Sequence, residues 1–260
     1  MMALTLYHGE PNGPSLNVLA ALFEAGVRAD LIHIDLLAGD RHASTVPRSR
    51  EVEMSIEGEG PVLIADGVAM ADSVFIGCAV DEMAGGGTLV PTDPYARWEM
   101  MTWCRWVIER VAPAAALIGT RGHATPALTG MADASFETLA EGIHSVDLRE
   151  RWRTCRAGAF PAAQLADSEA KIDAAVAKIE KQLNGHDWLM GAFTLADLES
   201  YGWLAGMPKQ VPLAFTHAPR TRDWMARVAA RPSVAKALSL ATVPDPRMAW
   251  APGPEINRWG

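Results

Sequence analysis

Apolar positions recur at two different periods along this chain. Near its start they alternate: Leu4-Thr5-Leu6-Tyr7 reads as a strand, broken by Gly9, Pro11, Gly13 and Pro14. From Ser15 the period lengthens. Leu16, Leu19, Ala20, Leu22 and Phe23 fall at helical spacing, and Gly26 ends the run. Residues 31–37 (LIHIDLL) predict a second strand, and Pro61-Val62-Leu63-Ile64, apolar and partly β-branched, a buried third. Asp66-Gly67 is a tight-turn dipeptide and Val68-Ala69-Met70 returns, which predicts a hairpin. Asp72-Ser73 then precedes Val74, Ile76, Cys78 and Val80. A short polar residue before an apolar run is an N-cap signal, so a helix is predicted over 73–83, closed by Gly85-Gly86-Gly87.

Beyond residue 93 every long apolar pattern is helical. Asp93 is an N-cap and Pro94 sits at the first helical position. Trp98, Met101, Cys104, Ile108, Val111 and Ala115 follow at steps of three and four, and Pro113 should kink that helix. A second helix is predicted over 134–156. A third spans 162–183, with Ile172, Val176, Ile179 and Leu183 on one face and Asn184-Gly185 as its stop. Thr194-x-x-Asp197 is a capping-box pair, flanked by Phe193 and Leu198, which can staple across the cap. The tail from Val243 is rich in proline and carries Trp250 and Trp259. It reads as irregular and folded over the site. The pattern divides the chain into an α/β unit over 1–84, a linker over 85–93, an all-helical unit over 94–242 and a tail over 243–260.

Composition narrows the function. At 260 residues the chain can bury a sizeable core, and 49% hydrophobic with 21% charged residues is ordinary for a globular protein. A net charge of −8 argues against nucleic acid or an anionic membrane as partner. No apolar run approaches the ~18 residues of a membrane span, and no signal peptide is expected at the start. Cys78, Cys104 and Cys155 are odd in number and scattered. They suit a reducing cytoplasm and supply neither a CxxC redox pair nor a metal site. Trp- and Met-rich helix faces beyond the core stripes need cover, so a dimer is expected.

A proline leading a strand, a hairpin, then Asp-Ser opening a helix is a specific arrangement. A helix start with free N–H groups suits a carboxylate. In this order the residues resemble the glutathione-binding half of the glutathione transferases. The resemblance implies a thioredoxin-like first domain, ordered βαβ–α–ββα, followed by an all-α domain. It implies that glutathione lies on Gly60, Pro61, Asp72 and Ser73. Gly60 would pair its backbone with the cysteinyl part, Pro61 would be cis, and Asp72 and Ser73 would hold the γ-glutamyl end. His42 is the candidate for the glycine carboxylate, in a stretch whose Glu51, Glu53, Glu57 and Glu59 crowd together. The family's Asn-Pro before that strand is absent; Ser55-Ile56 stands there.

Ser15 has two readings. As an N-cap its hydroxyl would accept a helix N–H, worth ~1 kcal/mol. As the catalytic residue it would donate to the sulfur of glutathione. Tyr7 is the rival donor in some classes; its place in the strand's alternation favours a structural role. Several stretches resemble one bacterial branch, the glutathione-dependent β-etherases that cleave aryl ethers of lignin-derived aromatics. They are Leu6-Tyr7 with Pro11 and Ser15-Leu16, residues 93–107, and Trp152-Arg153 to Phe160-Pro161. A member of that branch has Asn where this chain has Pro14. The resemblance implies thiolate attack on the carbon bearing an aryloxy group, giving a phenol and a glutathione thioether. Asn12, Trp106 and Arg110 are candidates for the aromatic pocket, and the assembly would be a homodimer or a heterodimer with a related chain. The alternatives are a weakly catalytic or non-catalytic subunit of such a heterodimer, or a general glutathione transferase.

Overall fold

The computed structural model describes residues 3–43, 45–46, 60–143 and 145–252. Strand β1 (Leu4–His8) buries alternate residues Leu4, Leu6 and His8, as its alternation predicts. Helix α1 (Gly13–Ala25) follows and ends at Gly26, whose φ of 69° is the left-handed C-cap conformation. Strand β2 (Asp30–His33) is shorter than its apolar run. The reason is local: the Asp35 carboxylate accepts from the N–H groups of Leu37 and Ala38, at 2.9 and 3.1 Å, and turns the chain.

Strands β3 (Val62–Ala65) and β4 (Val68–Met70) form the expected hairpin. Asp66 and Gly67 both have positive φ, 46° and 86°, the backbone a two-residue hairpin turn requires. The sheet runs β2-β1-β3-β4, with β1 parallel to β2 and antiparallel to β3. Helix α2 (Ser73–Met83) returns beside α1. Its buried Asp81 accepts from the N–H groups of Gly87, Thr88 and Leu89 at 2.9, 3.0 and 2.7 Å, which sets the exit toward the helical part.

Helix α3 (Pro94–Trp106) starts on its Asp93 cap. The effect of Pro113 is a widened turn rather than a sharp bend. Residues Val107–Val111 take π-helical geometry and the chain resumes as α4 (Ala112–Gly122). Proline has no N–H to give the carbonyl one turn back, and the wider turn absorbs the mismatch. After α5 (Ala124–Thr129), the single helix expected over 134–156 is two, α6 (Asp133–Gly142) and α7 (Val146–Ala157). Ile143 is extended and buried between them. Ser145 caps α7 through Leu148 N–H at 3.3 Å, and Arg149 donates twice to the Ile143 carbonyl. A small separate core of Leu128, Phe136, Ile143, Leu148 and Trp152 therefore needs the break.

Helix α8 (Ala162–Gln182) buries Ile172, Val176 and Ile179. Helix α9 (Leu195–Leu204) is the centre of the molecule, with all ten residues buried. Around it pack α1, α2, α3 and α4. Its start is the predicted capping box of Thr194 and Asp197. Asp197 does more than cap. Its carboxylate also accepts from Leu189 N–H at 3.0 Å and from Trp224 Nε1 at 2.9 Å. Trp224 lies on α11 (Pro219–Ala229); α10 (Met207–Gln210) precedes it, and α12 (Pro232–Leu238) packs on α1. Among the described residues no helix is long and apolar enough to cross a membrane, and no cluster has the makings of a metal site.

Trp224→Phe keeps the ring packing and removes one bond to a charged acceptor. Bonds of this kind are worth about 1.5–3 kcal/mol, so urea denaturation should register a loss of that size. A loss below about 0.5 kcal/mol would mean that Asp197 does not depend on this donor.

Candidate active site

The turn between β1 and α1 is built by close packing. The Leu36 side chain lies 2.6 Å from where a Cβ on Gly9 would fall, so a larger residue would displace it. Gly13 has φ 47° and lies against the ring of Trp203. These constraints start α1 at Gly13, two residues earlier than the apolar run. Ser15 therefore sits inside the first turn, not at the cap. Its buried hydroxyl oxygen accepts from Gly9 N–H at 3.1 Å and caps no helix N–H. This corrects the N-cap reading. One lone pair is engaged, and the structure records no acceptor for the hydroxyl proton among the described residues. The proton is left for a group docked at the head of α1, where the helix dipole favours negative charge.

Asn12 occupies the cap position without capping. Its Nδ2 donates to the Ala249 carbonyl at 3.2 Å, and its buried Oδ1 has no partner among the described residues. The tail reaches the turn in this way. Thr242 N–H donates to Glu10 at 3.1 Å, and Thr120 donates to the Ala251 carbonyl at 3.3 Å. Trp250 stacks on Trp203 with centroids 6.0 Å apart. Beside the turn lies a cavity of about 190 Å³ lined by Glu10, His33, Leu36, His123, Thr242 and Trp250, among others. Burial lowers the pKa of His8 and of His123, so both are neutral at neutral pH.

The second cluster is at the start of α2. Asp72 has φ 75° and ψ 117°, an unusual backbone for a non-glycine residue. Its carboxylate accepts from Val74 and Phe75 N–H at 3.1 and 3.4 Å. The helix start is thus capped by its own Asp72, where free N–H groups were expected. Burial raises the Asp72 pKa against those two bonds. Ser73 is buried and donates to Glu199 Oε2 at 2.9 Å. Glu199 also receives Asn17 Nδ2 on Oε2 and Trp203 Nε1 on Oε1, both at 2.8 Å. Burial pushes its pKa up to about 7, and that of Asp197 up to about 6. Glu199, Asn17 and Trp203 were not singled out from the sequence. An acid in a helix with no polar face was the available signal, since a buried charge must be paired.

The third expected element is built differently. The Gly60–Pro61 bond is trans, since no described peptide bond is cis, and this corrects the expectation of a cis proline. Trans is the intrinsically favoured form of an X–Pro bond, by about 0.5–1 kcal/mol. The Gly60 carbonyl is held by Nε of the buried Arg41 at 3.1 Å. Arg41 is a further residue the sequence reading passed over. His42 is half-buried at the end of a short 3₁₀ turn, Asp40–His42. Glu51, Glu53, Glu57 and Glu59, like Ser55-Ile56, lie outside the described residues.

The aromatic candidates separate. Trp106 meets Trp103 edge-on at 5.1 Å and carries the Lys178 ammonium 3.6 Å from its centroid, so it faces α8. Trp103 is buried and donates to Ser200 at 2.9 Å. Arg110 is exposed on the π turn. No recorded contact brings Trp106 or Arg110 to the Ser15 turn. Trp203 and Trp250 are the indole rings that adjoin it.

The chain and its fold are similar to known proteins. Residues 143–232 match the glutathione S-transferase C-terminal domain. The chain is 27% identical over 244 residues to Protein LigF of Sphingobium sp. (strain NBRC 103272 / SYK-6), covering 90% of this chain and 92% of that one. The crystal structure of beta-etherase LigF from strain SYK-6 superposes with a TM-score of 0.82 at 25% identity, covering 92% of this chain and all of that one. Glutathione transferase F7 of Populus trichocarpa superposes at 0.66 with 20% identity, covering 91% and 99%.

The two raised carboxylates have a consequence for stability. Their unfolded pKa values are ordinary, so between about pH 4 and 7 the folded chain binds more protons than the unfolded one. Their contribution is fully present below the unfolded values and is lost as pH rises through about 6 and 7. Glu199→Gln removes one of the two. Melting temperature measured from pH 5 to 8 should fall more steeply for the wild type than for this variant. Parallel curves would show that Glu199 keeps an ordinary proton affinity.

Proposed function

We propose that this chain, a member of the glutathione transferase superfamily, is a glutathione-dependent transferase that cleaves β-aryl ethers of lignin-derived aromatics. The observation that carries the reading is the Ser15 hydroxyl. It is buried at the head of α1, anchored through its oxygen by Gly9 N–H, and retains its proton for a ligand. The unpartnered Asn12 Oδ1 three residues before it fits a ligand with several polar groups. Ser15 would hold the sulfur, Ser73 the γ-glutamyl carboxylate, and Gly60 with His42 the remainder of the peptide. Asp72 acts by keeping the start of α2 in place.

When bound, glutathione supplies a thiolate that bonds to the carbon bearing the aryloxy group while the C–O bond breaks, leaving a thioether and an aryloxide that takes a proton. A free thiol has a pKa of about 8.5. A charge-assisted hydrogen bond from Ser15, on the order of 1.5–3 kcal/mol, lowers it by about one to two units. The helix dipole adds about 0.3–1 kcal/mol in the same direction. The aromatic substrate is placed in the cavity beside the turn, against Trp250 and next to Trp203. Asn12 serves this pocket by holding the tail that carries Trp250. Trp106 and Arg110 do not line this cavity.

The likeness to the beta-etherase LigF supports the choice of an aryl ether over a general electrophile. One observation favours the second reading, a weakly catalytic subunit in a heterodimer. The trans Gly60–Pro61 bond and the Arg41 contact engage the backbone edge where the cysteinyl part is expected. Val68, Phe75, Tyr95 and Trp98 stand largely exposed on β4, α2 and α3, and apolar surface of this kind favours a dimer. A cytoplasmic setting suits the three unpaired cysteines.

Ser15→Ala should raise the pKa of bound glutathione by about one to two units and lower turnover near neutral pH, with little change in glutathione affinity. Thiolate absorbance against pH reads this directly, and unchanged titration and turnover would remove Ser15 from the chemistry. Light scattering at micromolar concentration should give a dimer. A clean monomer that pairs only with a related chain would select the second reading.

A further inference from the structure

In the reading above, Ser73 must donate to a ligand carboxylate, and the structure gives that proton to another acceptor. A serine hydroxyl has one proton. That of Ser73 goes to Glu199 Oε2 at 2.9 Å. An ionised carboxylate only accepts, so the bond cannot reverse while Glu199 is charged. A ligand carboxylate arriving at Ser73 therefore competes with Glu199 for one hydrogen. The conflict disappears if Glu199 is protonated. Its O–H then donates to Ser73 Oγ, and the Ser73 proton turns to the ligand.

We propose that docking of an anionic carboxylate at Ser73 is coupled to the uptake of one proton from solvent by Glu199. The idea rests on the glutathione reading for the identity of that carboxylate. The geometry suits it. Oε2 keeps a lone pair for Asn17 Nδ2 at 2.8 Å after protonation, and Oε1 still accepts from Trp203 Nε1 at 2.8 Å. Among the described residues the titratable groups that act on Glu199 are Asp72 at the start of α2 and Cys104 on α3; Asp197, two residues away on the same helix, does not face it. Each is negative when ionised. Asn17 on α1 is neutral. A ligand carboxylate would add another negative charge beside Asp72 and Glu199, and a proton offsets it. Burial already brings the Glu199 carboxyl to about 7, so protonation near neutral pH is within reach.

The test uses S-methylglutathione, whose sulfur has no titratable proton and cannot mask the uptake. Calorimetry at pH 8 in two buffers of different ionisation enthalpy counts the protons exchanged. The wild type should take up close to one proton per ligand, and its affinity should fall about tenfold per pH unit above 7. Glu199→Gln, which can donate to Ser73 without titrating, should bind with no buffer dependence and no fall in affinity from pH 7 to 8.5. Buffer-independent heat with the wild type overturns the proposal whether or not the variant folds. Equal uptake in both proteins overturns it as well, by placing the proton on another group. Failure of both glutathione and S-methylglutathione to bind at millimolar concentration is a different result: it removes the glutathione reading and, with it, this coupling.

Discussion

A helix buried on every side that carries two carboxylates dominates this structure. Each acid on α9 would be prohibitively costly in isolation, so donors must reach it from outside. Asp197 gathers them from the loop before the helix and from Trp224 on α11. Glu199 gathers them from α1, from the start of α2 and from Trp203 one turn on. Glu199 thus ties the α/β part to the helical part by directional bonds as well as by apolar contact, while Asp197 ties α9 to α11 and to the loop before it. The glycines around them are consequences of the same crowding. A Cβ on Gly202 would fall 2.1 Å from Asn17 Oδ1, and one on Gly77 would fall 2.7 Å from a Leu195 methyl carbon.

The candidate active site inherits its geometry from that centre. Ser15 is two residues from Asn17, which is held by Glu199, and the turn before it rests on Trp203, which is held by the same carboxylate. Ser73 is the third member. A single buried acid therefore touches the element proposed to hold the sulfur, the element proposed to hold the γ-glutamyl end, and the indole on which the turn before Ser15 rests. Trp250 joins this set from the tail, stacked on Trp203 and tied by Asn12 through Ala249.

Most of the fold was legible because its signals are local. The hairpin follows from Asp66-Gly67, the α2 helix from Asp72 before an apolar run, and the α9 start from Thr194-x-x-Asp197. The misreadings were also local in origin. The apolar run at 134–156 continues through Ile143, and only the packing of Ile143 into the small core breaks the helix there. The run at 31–37 hid the Asp35 turn. In the candidate site, Ser15 and Ser73 stand out in the sequence because a serine at a helix start is visible as a pattern. Arg41, Glu199, Asn17 and Trp203 were missed because what distinguishes them is the partner each meets across a large sequence separation.

By itself the sequence determined the order of elements, the two-part architecture and which residue types stand at the two helix starts. Periodicity and capping act over a few residues, and the chain carries them wherever it folds. Tertiary structure alone decided which hydroxyl keeps its proton and which has given it away. Ser15 and Ser73 look alike in the sequence, each a serine leading an apolar run. One accepts from Gly9 and retains its hydrogen; the other has already donated to a carboxylate that arrives from residue 199. A hydrogen bond has a direction, and its direction depends on what the fold places opposite.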